Sequence, residues 1–176
     1  MNSWQLAHLS DKIPAGDYFS KILPPKTRWG TRPIIVYENG IVSVKHHLRD
    51  GRQHWVLPGG GVEKGETIPE AGIREAQEEC NVTISLSRLL YVRVWYFQQP
   101  VVEFYPLAKI ESGTISLGHD PESTDGTQIL KDIRVISFDE LENDDELTFY
   151  PVFMRKRIQR DIENPPTKAL YVGTTP

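Results

Sequence analysis

The chain has a single cysteine, Cys80, among 176 residues, so no intrachain disulfide and no all-cysteine metal site can form. It contains no apolar run of the roughly 20 residues needed to cross a bilayer as a helix. Its first residues, Met1 to Leu6, lack a basic stretch followed by an apolar one, so no secretory leader is read there. Basic charge is also short: 20 Lys and Arg against 24 Asp and Glu give a net charge of −4. That balance provides no global field for long nucleic acid, whereas a small anion can still be held by charge concentrated locally. A cytoplasmic chain with no membrane or long nucleic-acid partner is expected.

What is present suits a packed domain. Apolar residues make up 39% and charged residues 25% of the chain, and the length fits one domain over 1–176. Residues 1–32 carry scattered aromatics (Trp4, Tyr18, Phe19, Trp29) and read as an N-terminal arm. From Pro33 the pattern becomes β-rich. Ile34–Tyr37 and Ile41–Val44 flank Asn39-Gly40, which predicts a hairpin turning on those two residues. Trp55–Leu57 is a short apolar run before Pro58 and three glycines.

After a helix come strands at Val82–Leu86, Leu89–Phe97 and Val101–Ile110, with Pro106 suited to an edge or a bulge. A polar loop is expected over 111–128 and a strand over Ile129–Ile136. A C-terminal helix and tail occupy 149–176, the helix running from Pro151 to Ile162. Met154, Ile158 and Ile162 would face inward, while Arg155, Lys156, Arg157 and Arg160 would be solvated. The mixture is that of a layered α/β or α+β domain.

The chemistry is concentrated between Gly59 and Val82. Thr67 and Glu70 form a capping box and Pro69 fits the first turn, so a helix begins near Ile68. Glu75, Glu78 and Glu79 stand at i, i+3 and i+4 and therefore share one face. Ile73, Ala76 and Cys80 fall opposite and are expected to pack inward, which makes Cys80 a small buried hydrophobe. A carboxylate stripe can be a solvated face or a site for hard divalent cations. The preceding glycines favour the second, because backbone without side chains can approach a metal or phosphate closely.

These residues resemble the Nudix signature, G-x5-E-x7-R-E-U-x-E-E-x-G-U, with U a bulky aliphatic residue. Gly60, Glu66, Arg74, Glu75, Glu78, Glu79 and Val82 fall on its positions. Ala76 replaces a larger aliphatic, and Asn81 replaces the final glycine, a mild change because Asn tolerates the left-handed helix cap. With the hairpin before it and Ser137–Leu141 after it, the resemblance extends over about residues 33–145.

The resemblance implies the Nudix fold, a mixed sheet between helices, and an Mg²⁺- or Mn²⁺-dependent hydrolase of a diphosphate bond. The expected substrate is a nucleoside diphosphate linked to another group, such as ADP-ribose. The alternatives are a (modified) nucleoside triphosphate, or a module that senses nucleotides without cleaving them. Metal ligands would be Glu75, Glu78, Glu79 and the carbonyl of Gly59. Arg74 would orient a carboxylate, and Glu66 would shape the loop–helix junction. Glu122 is the first candidate for a general base outside the helix and Glu103 the second. His46, His47, His54 and His119 show no metal spacing and read as loop or strand-end residues. Trp29, Trp95, Tyr96 and Tyr105 are candidates for base stacking or for sheet packing. A homodimer is compatible with the family, with residues 1–32 as its candidate contact.

Overall fold

The computed structural model describes residues 27–48, 50–119 and 130–173. Most of the expected N-terminal arm, and Glu122, lie outside them. Among the described residues no helix is long and apolar enough to cross a membrane.

The hairpin expected after Pro33 forms between β2 (Ile34–Tyr37) and β3 (Gly40–His47), with Val36 opposite Ile41 and Tyr37 opposite Gly40. The connection is therefore Glu38-Asn39, one residue earlier than the sequence suggests, and Glu38 takes the positive φ, 50°. Gly40 is required for another reason. A Cβ there would lie 2.3 Å from the carbonyl oxygen of Ile136 in β8 (Leu130–Ser137), which runs antiparallel along β3.

A second, longer ribbon joins β6 (Val82–Phe97) to β7 (Gln99–Gly113). The two short strands read from 82–86 and 89–97 are thus one, bent by register irregularities near Arg88 and Leu89. β7 also runs to Gly113, into the segment expected as loop. Its outer edge is shared: β1 (Arg28–Thr31) pairs with Val101–Phe104 and β2 with Leu107–Lys109. Pro106 falls in the gap between them, where its missing N–H breaks no ladder.

β4 (Gln53–Val56) pairs with the end of β3, and β5 (Gly60–Gly61) pairs with β1. β9 (Phe149–Tyr150) and β10 (Leu170–Gly173) close the two ends, giving the order β10-β6-β7-β2-β3-β4-β9.

Strand alternation divides the core between two faces of this mixed sheet. Ile35, Val42, Val44, Val82 and Ala108 pack under α1 (Ile68–Cys80) with Ala76 and Cys80. Ile34, Ile41, Leu90, Tyr91 and Tyr105 pack on the other face. There they meet Leu141 of α2 (Phe138–Asn143) and Ile158 of α3 (Ile158–Glu163). Each such large side chain, fully buried, contributes about 1.5–3 kcal/mol. The mixed sheet between helices matches the expectation from sequence.

The C-terminal part differs from its expectation. Instead of one helix over 151–162, a 3-10 turn at Val152–Met154 is followed by the separate α3. Met154 and Ile158 are buried as their spacing requires. Of the basic residues, Lys156 and Arg160 are exposed as expected, but Arg155 and Arg157 are not part of a solvated face. Arg155 donates to the carbonyls of Leu141 and Asp144, closing the end of α2, and Arg157 donates to buried Asp161 at 2.7 Å. Helix-end carbonyls and a buried carboxylate need donors, and these arginines supply them.

Candidate active site

α1 is specified by its own ends. Thr67 and Glu70 make both hydrogen bonds of the capping box, with the Thr67 N–H 2.8 Å from Oε2 of Glu70. At the other end Asn81 is left-handed, φ 56°, and its N–H serves the carbonyls of Ala76 and Gln77. The next three carbonyls are met by the segment that follows β7. His119 donates to Glu78 at 2.8 Å, Gly118 to Glu79 at 2.9 Å and Ser116 to Cys80 at 3.2 Å. The last turn of the helix, which bears two of the three carboxylates, is therefore held from outside.

The buried face of α1 is wider than expected: Ala76 and Cys80 face inward as their spacing requires, but Ile73 does not. It comprises Ala71, Gly72, Glu75, Ala76, Glu79 and Cys80, while Ile73 is 38% exposed. The helix packs against β6, β1 and β5, and Glu75 and Glu79 face protein rather than water. Exposures of 6% for Glu75 and 5% for Glu79 rule out a merely solvated acidic stripe.

The loop Pro58–Gly61 is built against these carboxylates. The Gly59 N–H donates to Oε2 of Glu79 at 2.8 Å. Gly59 has φ 137°, and a Cβ on it would strike the Thr31 carbonyl at 2.1 Å. A Cβ on Gly60 would lie 2.4 Å from Oε1 of Glu75. Only glycines allow this approach.

Arg74 ties the parts together. Its Nε and Nη2 take both oxygens of Glu66 at 2.9 and 3.1 Å, and Nη2 also donates to the Gly61 carbonyl at 3.0 Å. Nη1 spans Glu75 at 3.0 Å and Glu78 at 2.9 Å. Glu66 holds the loop as well, accepting the Glu63 N–H. Hydrogen bonds from Arg74 keep the Glu66 carboxyl below its ordinary range, and the same pair raises Arg74. Glu75 goes the other way: burial pushes it up to about 7, more than the Arg74 charge lowers it. One guanidinium among three carboxylates leaves negative charge uncompensated there. Among the described residues no three acidic or imidazole groups converge as a preformed cation cage, Arg74 standing between Glu75 and Glu78.

Beyond this helix the sequence is a poorer guide. Glu103 is neither exposed nor on an edge. It is buried in β7, where Arg32, Arg93, Trp95 and Tyr105 all donate to it. Burial alone would raise its carboxyl, but Arg32 and the Tyr105 hydroxyl outweigh that and hold it below the ordinary range. A carboxylate so occupied is a poor proton acceptor.

It lines a cavity of about 640 Å³ that also contains His46, His54, Trp95 and Tyr150. His46 and His54 lie on strands, paired across β3 and β4. Burial, then the Arg32 charge, lower both, His46 to about 3, so the imidazoles are neutral. His119 is exposed, and its backbone N–H is engaged at α1.

Of the aromatic candidates, Trp95 and Tyr105 line the cavity, whereas Trp29 stacks on Phe104 and Tyr96 is 66% exposed. Sequence reading missed Arg32 and Arg93. The available signal was Glu103 between Val101 and Tyr105 on the inward face of a strand, where a charge requires a partner.

Residues 27–156 match the family model of the NUDIX domain. The NAD-capped RNA hydrolase NudC of Photorhabdus laumondii is 35% identical over 85 residues, 48% of this chain and 32% of that protein. An RNA pyrophosphohydrolase of Orientia tsutsugamushi is 32% identical over 71 residues, 39% of this chain and 42% of that protein. The chain thus aligns with less than half the length of either. In fold it is similar to a NUDIX hydrolase from Nitrosomonas europaea, with a TM-score of 0.63 and 20% identity over 82% of this chain and 94% of that one.

Proposed function

The chain belongs to the Nudix hydrolase family, and from that premise we propose that it hydrolyses a diphosphate bond joining a nucleoside to another group, as in ADP-ribose. The observation that carries this reading is the burial of Glu75 and Glu79 against the Gly59–Gly61 loop, with Arg74 bridging Glu66, Glu75 and Glu78. Nucleotide cleavage in the cytoplasm accords with it.

Nudix hydrolases generally use divalent metal ions, and this donor set fits one. Carboxylates and a backbone carbonyl are the hard oxygen ligands that Mg²⁺ and Mn²⁺ take. Burial disfavours the charged form of Glu75, a penalty that a bound cation would offset, and Gly60 leaves open the space at its oxygen that a Cβ would fill. Glu75, Glu78, Glu79 and the carbonyl of Gly59 would hold the ion. Once bound, it supplies charge neutralisation of the diphosphate and a more acidic water.

The protein's own residues do the positioning. Glu79 fixes the loop by accepting the Gly59 N–H. Arg74 keeps Glu75 and Glu78 apart and aligned, and Glu66 keeps Arg74 from swinging into the site. Glu122 remains the proposed general base, because Glu103 is saturated with donors.

The names of the two curated relatives point the same way. An NAD cap contains a diphosphate linking two nucleosides, and the name RNA pyrophosphohydrolase denotes hydrolysis of a phosphoanhydride. The test is a panel assay with Mg²⁺ and with Mn²⁺, using ADP-ribose, nucleotide sugars, dinucleoside polyphosphates and nucleoside triphosphates. Products resolved by chromatography identify the bond broken. Binding without any cleavage would overturn the reading in favour of a nucleotide-sensing module.

A further inference from the structure

The cavity beside Glu103 is more basic than an acidic chain leads one to expect. Three arginines (Arg32, Arg52 and Arg93) line it against one acid, Glu103, while its histidines are neutral. Arg52 lies at the exposed rim and is paired with Asp50. Arg32 and Arg93 lie inside, with side chains 21% and 20% exposed.

Glu103 fixes these two and satisfies neither. Arg32 gives it Nε at 3.1 Å and gives Nη1 to the Leu57 carbonyl at 2.9 Å. Arg93, its cross-strand partner on β6, gives only a 3.4 Å contact and lies over the Trp95 ring at 5.1 Å. A guanidinium has five N–H donors in a planar fork, so most donors of both groups are left for a ligand. Paired forks of this kind match phosphate oxygens, and an aromatic ring beside one offers a surface for a base.

We propose that Arg32 and Arg93 form an anion subsite for a second phosphoryl group of the substrate, one outside the diphosphate that is cleaved. The proposal rests on the hydrolase reading above and adds to it the class of substrate: a nucleotide carrying a further phosphate. Its location follows from strand parity. Glu103 shares its face of β7 with Tyr105 and Leu107, whereas Ala108 and Ile110 face α1. Arg93, paired across from Glu103, therefore projects from the face of the ribbon opposite the one that meets α1. Arg32 links the two regions, since the carbonyl it holds at Leu57 is two residues from Gly59. Glu103 is a positioning residue that orients both forks.

The test uses the full-length protein and matched ligands differing by one phosphate. Calorimetry compares AMP with adenosine 2′,5′- and 3′,5′-bisphosphate, and turnover compares ADP-ribose with 2′-phospho-ADP-ribose and NAD⁺ with NADP⁺. Wild type should bind a bisphosphate about tenfold or more tighter than AMP, as a charge-assisted pair allows. In turnover the preference should appear as a lower KM. Arg93→Met should bring the two affinities together, and Arg93→Lys should recover part of the difference. Equal affinities in wild type, or a preference that survives Arg93→Met, would overturn the proposal. If Arg93→Met does not fold, the wild-type comparison and Arg93→Lys still decide. Bisphosphate preference without hydrolysis of any substrate would support the subsite and refute the hydrolase reading; hydrolysis without preference would do the reverse.

Discussion

Gly60 and Glu75 are packed so closely that a Cβ on Gly60 would sit 2.4 Å from Oε1 of the glutamate. The obstructing atom ends a side chain, so the glutamate can yield while the backbone stays. Gly60→Ala should therefore keep the fold, within about 1 kcal/mol by urea unfolding. Turnover should fall by about tenfold or more as Glu75 is displaced. A variant with full turnover would show that Glu75 need not occupy this position.

Glu75 should also reveal itself through pH in the metal-free protein. Burial raises its carboxyl to about 7 from 4.5, so the folded state favours the protonated form. The stability this gives is fully present below pH 4.5 and is lost as pH rises through 7. Glu75→Gln removes the dependence. In EDTA at pH 8 the variant should be more stable than wild type by about 1–3 kcal/mol, and near pH 4 the two should converge. Urea midpoints at both pH values measure this, and a gap that does not change with pH would contradict it.

The end of α1 makes a separate demand. A Cβ on Gly118 would lie 1.8 Å from the Glu78 carbonyl oxygen, a backbone atom that cannot step aside. Gly118→Ala should release the N–H donors of residues 116–119 from the helix and destabilise the fold by about 1–3 kcal/mol. Hydrogen exchange should rise at Ser116, Gly118 and His119. Unchanged protection at these amides would refute the clamp.

On the opposite face, Asp161 accepts from the Tyr91 hydroxyl at 2.8 Å and from Arg157. Burial would raise its carboxyl, but those hydrogen bonds outweigh it and hold it below 3.8. Its contribution is present above pH 3.8 and is lost as pH falls through the lowered value. Asp161→Asn should cost about 1–3 kcal/mol at pH 7, with the gap to wild type closing in acid. A gap of the same size at pH 3 would contradict this.

These elements show what sequence conveys and what it does not. The capping box at Thr67, Pro69 and the left-handed Asn81 were readable because each acts within a few residues of itself. The charged positions of the box were readable through their spacing. The inward placing of Ala76 and Cys80 was readable too, but not that of Glu75 and Glu79, nor the outward one of Ile73, because these depend on β1, β5 and β6 together forming the surface on which α1 lies. Gly40 was read as a turn residue, yet its requirement comes from β8, nearly a hundred positions away. The 151–162 segment has helical spacing, but Arg155 and Arg157 are recruited by Leu141, Asp144 and Asp161, and the helix breaks between them. Arg32 and Arg93 were silent for the same reason: the cavity exists only once β1, β6 and β7 are paired.

The most direct test of the account is Mg²⁺-dependent turnover of ADP-ribose, or of the best substrate from the panel, by wild type and Glu79→Gln. The amide can still accept the Gly59 N–H, so the loop should hold and the melting temperature should stay within a few degrees. The carboxylate's charge is lost, and turnover at saturating Mg²⁺ should fall by about a hundredfold or more. A Glu79→Gln protein that folds and turns over at the wild-type rate would contradict the assignment of this helix as the catalytic centre.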